Sequence, residues 1–77
     1  MIGVIIKNVR INAGLSQKEL GEKLSLAYNT ISSYERGNSQ PDFETIVNIL
    51  EICGYKIQFI NKTKNEIVSL EKISREI

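Results

Sequence analysis

The side chains of this 77-residue chain favour recognition over covalent chemistry. The sequence contains no histidine and a single cysteine, Cys53. Catalysis by histidine, zinc bound by histidine and an internal disulfide are therefore excluded. The informative polar side chains are a phenol, an amide and a hydroxyl, at Tyr28, Asn29 and Ser33. These groups form hydrogen bonds, so we expect a protein that is not an enzyme and needs no cofactor or metal.

The segment that carries these three residues is predicted to be a helix over residues 28–36. Ile31 and Tyr34 are three positions apart and form its inward side. The three polar residues therefore face away from the core. Gly37 ends the helix, and a short polar loop follows it.

A second short helix, over residues 17–24, precedes it. Ser16 and Glu19 have the spacing of a capping box, in which each side chain bonds to the backbone amide of the other residue. Leu15 and Leu20 have the spacing of a hydrophobic staple. These signals mark the clearest helix start in the chain.

The two short helices are joined by only about three residues, which forces them to cross steeply in helix-turn-helix geometry. Helices of this length are not stable in isolation, so they depend on packing. Gly21 lies in the middle of the first one, where glycine costs about 1 kcal/mol relative to alanine. We interpret Gly21 as a position where the backbone of the next element comes close.

Helices are predicted on both sides of this pair. Residues 2–13 have helical periodicity and are followed by Gly14. A fourth helix begins near Asp42 as its N-cap and ends at Gly54. Its predicted inward stripe consists of Phe43, Ile46, Val47, Leu50 and Cys53. Cys53 is interpreted as a small buried hydrophobe.

The C-terminal part changes to the alternating period of a strand over residues 55–60, followed by a turn. Residues 66–69 could form a second strand. Alternatively, a short helix capped by Asn65 could present Ile67, Leu70, Ile73 and Ile77 on one face. We expect a short strand followed by a helix or a frayed tail.

From Arg10 to Gly54 the sequence resembles the phage-repressor or XRE-type (lambda-repressor-like) helix-turn-helix DNA-binding family. The residues that carry the resemblance are Arg10, Gly14-Leu15-Ser16-Gln17-Lys18-Glu19-Leu20, Leu24, Thr30-Ile31-Ser32-Ser33-Tyr34-Glu35-Arg36-Gly37 and Pro41. Two positions depart from the pattern: Ser25 stands where glycine is frequent, and Ala27 stands where a capping Ser or Thr is frequent. The resemblance implies a mainly α, four- to five-helix domain over residues 1–54, with a short C-terminal strand or hairpin in residues 55–77.

The resemblance also implies that helix 28–36 enters the major groove of double-stranded DNA. On its outward side, Asn29 can form two hydrogen bonds with adenine. Tyr28 is expected to contact a thymine methyl or a phosphate, and Ser33 can donate or accept at a base edge. The alternative for all three is that they are solvated polar residues.

Phosphate contacts are predicted for Gln17, Lys18, Asn38 and Gln40. Gln17 is the first residue of its helix, where free amides and the helix dipole attract phosphate. The net charge is only +1, so shape and a few placed donors must contribute more than bulk charge.

The family often has Arg and Glu at the positions of Arg10 and Glu35. The resemblance therefore predicts an ion pair between them, which ties the first helix to the end of the third. The alternatives are two unrelated surface charges, or contact of Arg10 with a phosphate.

Specific operators usually require two recognition helices. We expect a homodimer in which the strand bearing Tyr55, Ile57 and Phe59 pairs with its copy or with residues 66–70; the alternative is a hairpin within one monomer. The expected function is a cytoplasmic, sequence-specific transcriptional repressor. An antitoxin that binds a toxin through its C-terminal segment is the other hypothesis. No apolar run is long enough to cross a membrane.

Overall fold

The computed structural model describes residues 1–75, which form helices followed by a small antiparallel hairpin. The elements are α1 (Ile2–Asn12), α2 (Gln17–Leu24), α3 (Tyr28–Arg36), α4 (Phe43–Ile52), β1 (Gln58–Asn61), β2 (Glu66–Ser69) and α5 (Leu70–Ser74). The prediction of a mainly α fold with a C-terminal hairpin is confirmed. None of the helices within residues 1–75 has the length and apolar character needed to cross a membrane.

The helix ends follow the capping signals in the sequence. Ser16 Oγ accepts the amide of Glu19 at 3.0 Å, and the Glu19 carboxylate accepts the amide of Ser16 at 2.9 Å. Asp42 caps α4 by accepting the amide of Thr45 at 2.8 Å. Ala27 provides no side-chain cap for α3, because a methyl group cannot accept a hydrogen bond.

The turn between α2 and α3 explains one departure from the family pattern. Ser25 has a φ of 57° and lies in the left-handed region. Glycine reaches this region without steric cost, whereas other residues reach it less readily. The turn therefore keeps its usual backbone shape although a serine stands where glycine is frequent.

The core is built from one fully buried side chain of each of the first four helices. Ile6, Leu20, Ile31 and Ile49 are less than 2% exposed. Val9 and Cys53 complete the cluster. Cys53 is a small buried side chain, as predicted, and burial raises the pKa of its thiol.

The predicted inward stripe of α4 is only partly correct: Cys53 is buried and Leu50 packs against the core, as expected. Ile49, absent from the predicted stripe, is fully buried, whereas Phe43 is 55% exposed. The helix is apolar on two sides, because Val47 and Leu50 line a groove of about 500 Å³ against the C-terminal segment. The spacing of apolar residues cannot distinguish the side of α4 that faces the core from the side that faces the groove.

The predicted strand over residues 55–60 is shorter and shifted in the structure. The amide of Tyr55 bonds to the carbonyl of Leu50 at 2.8 Å, and Gly54 has a φ of 90°. The backbone at this point therefore ends α4 and cannot yet join a sheet. Pairing begins at Gln58, opposite Ser69.

The last segment combines both alternatives, a strand and then a short helix. Asn61 pairs with Glu66 at the turn end of the hairpin. Asn65 is a turn residue with a φ of 54°, and the predicted cap at Asn65 is wrong. Ser69 caps α5 instead by accepting the amide of Lys72 at 3.2 Å. Ile77 lies outside the described residues.

Two glycines allow the helices to approach closely. A Cβ added to Gly21 would lie 2.5 Å from the carbonyl oxygen of Leu26, in the turn. The interpretation of Gly21 as a site of close backbone approach is therefore confirmed. Gly3, which the sequence did not single out, has the same role, because a Cβ there would lie 2.5 Å from the carbonyl oxygen of Tyr34.

We expect Gly21→Ala to destabilise the protein. Alanine gains about 1 kcal/mol in helix propensity, but forcing a methyl group into a packed backbone contact costs about 1–3 kcal/mol. The clash involves backbone and cannot be relieved by a side-chain rotation. The cost of the clash should therefore exceed the gain in helix propensity. Each kcal/mol lost should lower the Tm in thermal unfolding by about 4–8 °C.

The matched control is Glu22→Ala, at the exposed next residue of the same helix. This change should leave the Tm nearly unchanged. A Gly21→Ala variant more stable than the wild type would contradict the proposed close approach.

Candidate nucleic-acid interface

The N-terminal turn of α3 presents two of the predicted base contacts to solvent. Tyr28 is 58% exposed, and Asn29 is also exposed. Behind them, Ile31 is fully buried and Tyr34 packs partly buried against the core. The structure therefore confirms the inward positions of α3 and leaves the phenol and amide accessible from one side.

Ser33, the third predicted base contact, is half-buried and already hydrogen-bonded. Its Oγ lies 2.8 Å from Oγ of Ser39, in the loop between α3 and α4 (residues 37–42). Either hydroxyl can be the donor. Part of the hydrogen-bonding capacity of Ser33 is thus used inside the protein.

Arg36 is a charged residue of α3 that the sequence analysis did not assign to the predicted DNA interface. It is exposed and follows Asn29 by seven positions, which places both on the same side of the helix. The spacing was visible in the sequence, but Arg36 was treated only as part of the family motif. A guanidinium at the end of this face adds positive charge next to the polar side chains.

The predicted phosphate contacts lie on two elements, α2 and the α3–α4 loop. Lys18, near the N-terminus of α2, is exposed, as are Asn38 and Gln40 in the α3–α4 loop. Gln17 is half-buried, and its Nε2 donates to Oε1 of Glu35 at 3.2 Å. Its side chain therefore braces α2 against α3, while its backbone amide lies in the first turn of α2.

Arg10 and Glu35 form the predicted ion pair. Nε of Arg10 donates to Oε2 of Glu35 at 2.6 Å, and Nη2 donates to Oε1 at 3.0 Å. The side chains are only 11% and 4% exposed. The pair is therefore bidentate and buried, which is the geometry in which Arg binds a carboxylate most strongly.

The surroundings of Glu35 keep its carboxyl group ionised. Burial alone would raise its pKa, but the hydrogen bonds from Arg10 and Gln17 outweigh burial and lower the pKa below its ordinary value of 4.5. The hydrogen bond to Glu35 likewise raises the pKa of Arg10. A third donor atom of Arg10, Nη1, bonds to the carbonyl of Leu15 at 2.8 Å.

The three residues predicted for dimerisation have different environments within one chain. Phe59 is in β1 and partly exposed. Tyr55 precedes the strand, and its hydroxyl accepts from Nδ2 of Asn12 at 3.3 Å. Ile57 is half-buried, and its carbonyl accepts the amide of Leu70 at 3.1 Å. Within one chain β1 pairs with β2.

These features define a helix-turn-helix domain, in which a braced second helix presents polar side chains outward. The chain matches the helix-turn-helix family HTH_3 over residues 6–60. It belongs to this family of DNA-binding domains, and the resemblance seen in its motifs is confirmed. No cluster of three metal-ligating side chains occurs in the part of the chain that the structure describes.

Similar proteins are transcriptional regulators by name. The chain is 31% identical over 80 residues to the HTH-type transcriptional regulator ImmR of Bacillus subtilis (strain 168), covering 97% of this chain and 63% of ImmR. It is 27% identical over 73 residues to the SPbeta prophage-derived uncharacterized HTH-type transcriptional regulator YonR of the same strain, covering 95% and 68%. It is 31% identical over 58 residues to an uncharacterized HTH-type transcriptional regulator of Sinorhizobium medicae (strain WSM419), covering 75% and 42%.

The chain thus spans from 42% to 68% of the length of these relatives. All three relatives are called HTH-type transcriptional regulators, and the similarity covers only part of each. The antitoxin hypothesis gains no support from them.

We expect Arg10→Ala to reduce the free energy of unfolding at neutral pH by about 3–5 kcal/mol, because it leaves the Glu35 carboxylate buried without its main partner. The loss can be measured by urea denaturation. The control is Arg36→Ala, which removes an exposed arginine and should have little effect on stability.

The pH dependence gives an independent check. In the wild type the pKa of Glu35 is lowered by folding, so its stabilising effect is present above pH 4.5 and is lost as the pH falls through the folded-state pKa. The difference in unfolding free energy between the wild type and Arg10→Ala should therefore shrink in acid. A difference that stays constant between about pH 7 and about pH 3 would contradict the ion-pair assignment.

Proposed function

We propose that this protein is a cytoplasmic, sequence-specific repressor of transcription that reads the major groove of double-stranded DNA with α3. The observation that carries the proposal is the exposure of Tyr28 and Asn29 on a helix fixed from behind by Ile31 and by the Arg10–Glu35 pair. A rigid helix with free polar groups at its N-terminal end suits contacts with base edges.

The proposed roles follow from the hydrogen-bonding groups that each side chain still has available. Asn29 can bond to adenine through both amide atoms, and Tyr28 reaches a thymine methyl or a phosphate. Ser33 has only part of its hydroxyl capacity left for a base. We assign phosphate contacts to Gln17, Lys18, Arg36, Asn38 and Gln40.

The names of the relatives support this proposal in two ways. ImmR and YonR are called transcriptional regulators, and YonR is described as prophage-derived. A regulator that occupies the site where RNA polymerase binds blocks transcription from that promoter. A repressor needs only binding at the right site, and the polar face of α3 is suited to that task.

We expect Asn29→Ala to weaken binding to the preferred duplex by about 1–3 kcal/mol and to relax preference at one base pair. The preferred duplex is first obtained by selecting bound sequences from a random pool with the wild-type protein. The selection is then repeated with the variant. Asn29→Ala lacks the amide but keeps the helix, so other base preferences should be retained.

Lys18→Ala is the matched control for this change, because Lys18 is proposed to touch phosphate only. It should weaken all duplexes alike and reduce the slope of log affinity against log salt by about one. If Asn29→Ala behaved in the same way as Lys18→Ala, with no loss of base preference, α3 would not be the reading helix.

We also propose that two copies bind together through the exposed edge of β1. Ile60 and Ile67 are opposite each other in the hairpin and are 67% and 65% exposed. A hairpin of two short strands is only marginally stable alone, and additional strands stabilise it. A second copy would also supply the second recognition helix that specific operators usually require.

The register of the hairpin indicates which backbone groups are available. Since Leu70 bonds to Ile57, and bonded and non-bonded pairs alternate, the N–H and C=O groups of Gln58 and Ile60 point away from β2. Antiparallel pairing of β1 with its copy would join Gln58 of each chain to Ile60 of the other. Phe59 would then face Phe59 across the two-fold axis. Of the residues predicted for dimerisation, this arrangement uses Phe59 directly.

We expect Phe59→Cys, made in a Cys53→Ala background, to form a disulfide-linked dimer under mild oxidation. Facing residues of a non-bonded antiparallel pair have Cα atoms about 4.5 Å apart, which suits a disulfide. The product is read on a non-reducing gel. Size-exclusion chromatography of the wild type gives the mass without cross-linking.

Val68→Cys in the same background is the control, because Val68 is opposite Phe59 in the hairpin but lies on β2. It should cross-link much less. Cross-linking at residue 68 and not at residue 59 would move the interface to the other edge of the hairpin, and a monomeric wild type would contradict the dimer itself.

A further inference from the structure

The contact between Ser33 and Ser39 joins the recognition helix to the loop that follows it. The two Oγ atoms are 2.8 Å apart, which is the usual length of a strong bond between hydroxyls. Ser33 lies in the second half of α3 and Ser39 lies in the α3–α4 loop, between Asn38 and Gln40. The contact therefore connects a predicted base-reading position with the predicted phosphate-binding loop.

Backbone bonds hold only the beginning of this loop. The amide of Gly37 bonds to the carbonyl of Tyr34 at 3.2 Å, and the amide of Asn38 bonds to the carbonyl of Ser33 at 2.9 Å. These two bonds are the usual end of a helix at a left-handed glycine. The amide of Ser39 also bonds to the Ser33 carbonyl, at 3.4 Å, so residue 39 is held by this long backbone bond and by the shorter hydroxyl contact.

We propose that the Ser33–Ser39 hydroxyl pair positions the α3–α4 loop on a DNA phosphate, and that Ser33 acts on DNA through Ser39 and does not read a base. This inference rests on the proposed DNA-binding function. Each serine hydroxyl has one proton to donate. When one hydroxyl donates to the other, one proton of the pair is left for an external acceptor, and a phosphate oxygen is such an acceptor.

The location of the pair favours phosphate over a base edge. Ser39 is exposed and has exposed Asn38 and Gln40 on either side, all on a loop at the end of α3 away from Tyr28 and Asn29. Base contacts in this geometry come mainly from the N-terminal residues of the recognition helix. To bond to a base with full capacity, Ser33 would have to give up a short bond to Ser39.

The test is a double-mutant cycle on the full 77-residue chain, with Ser33→Ala, Ser39→Ala and both changes together. The probes are the duplex selected by the wild type and an unrelated duplex of the same length. Each single change should lower affinity for both duplexes by about two- to tenfold, the effect of one neutral hydrogen bond. The double variant should be no weaker than either single variant, and base preference should remain that of the wild type.

Conservative variants separate this role from a general loss of structure. Ser33→Thr and Ser39→Thr keep the hydroxyl and should retain most of the affinity. A loss of preference at one base pair in Ser33→Ala, with Ser39→Ala unchanged, would overturn the inference and make Ser33 a base contact. Folded alanine variants that bind like the wild type would also overturn it. A wild-type protein that binds no duplex at all would instead refute the DNA-binding proposal on which the inference rests.

Discussion

The buried carboxylate of Glu35 is the constraint on which the arrangement of the first three helices depends. A carboxylate that is 4% exposed is tolerated only if donors surround it. Arg10 supplies two bonds from α1 and Gln17 supplies one from α2, so all three helices meet at one side chain of α3. A rotation of any of them would break at least one of these bonds. The same group that stabilises the fold therefore fixes the orientation of the face that carries Asn29.

Close backbone contacts allow so small a core to hold these helices together. The largest fully buried side chains within residues 1–75 come one from each of the first four helices. Gly3 lets α1 lie against the last turn of α3, and Gly21 lets α2 lie against the turn that follows it. Where side chains are few, close approach of backbones provides contacts that larger residues would prevent. The ion pair and the two glycines thus hold the same helices together, the former through side chains and the latter through close backbone contacts.

The parts of the fold that could be predicted are those determined by neighbouring residues. The capping box at Ser16 and the outward face of α3 depend on spacing within one or two turns, and both are as expected. The bounds of β1 depend on the bond from the Tyr55 amide to the Leu50 carbonyl, which closes the end of α4, and on the pairing of Gln58 with Ser69. The second of these contacts is not visible from neighbouring residues. The stripe predicted for α4 was only partly correct, because this helix is apolar toward both the core and the C-terminal groove. The contact of Ser33 with Ser39 was invisible for a related reason, since it depends on how the loop folds back on the helix.

Because the protein carries little net charge, side chains that are held in place before binding matter for the proposed DNA contacts. With a net charge of +1, long-range attraction to DNA is weak, so each phosphate contact must be made by a group already in position. Gln17 is held by Glu35, and Ser39 is held by Ser33. Side chains fixed before binding lose less conformational entropy when they bind. Tyr28 and Asn29 remain exposed at the opposite end of α3, where freedom to adjust to a base edge is useful. The proposed interface therefore divides into a braced part suited to the regular DNA backbone and a free part suited to a variable sequence of bases.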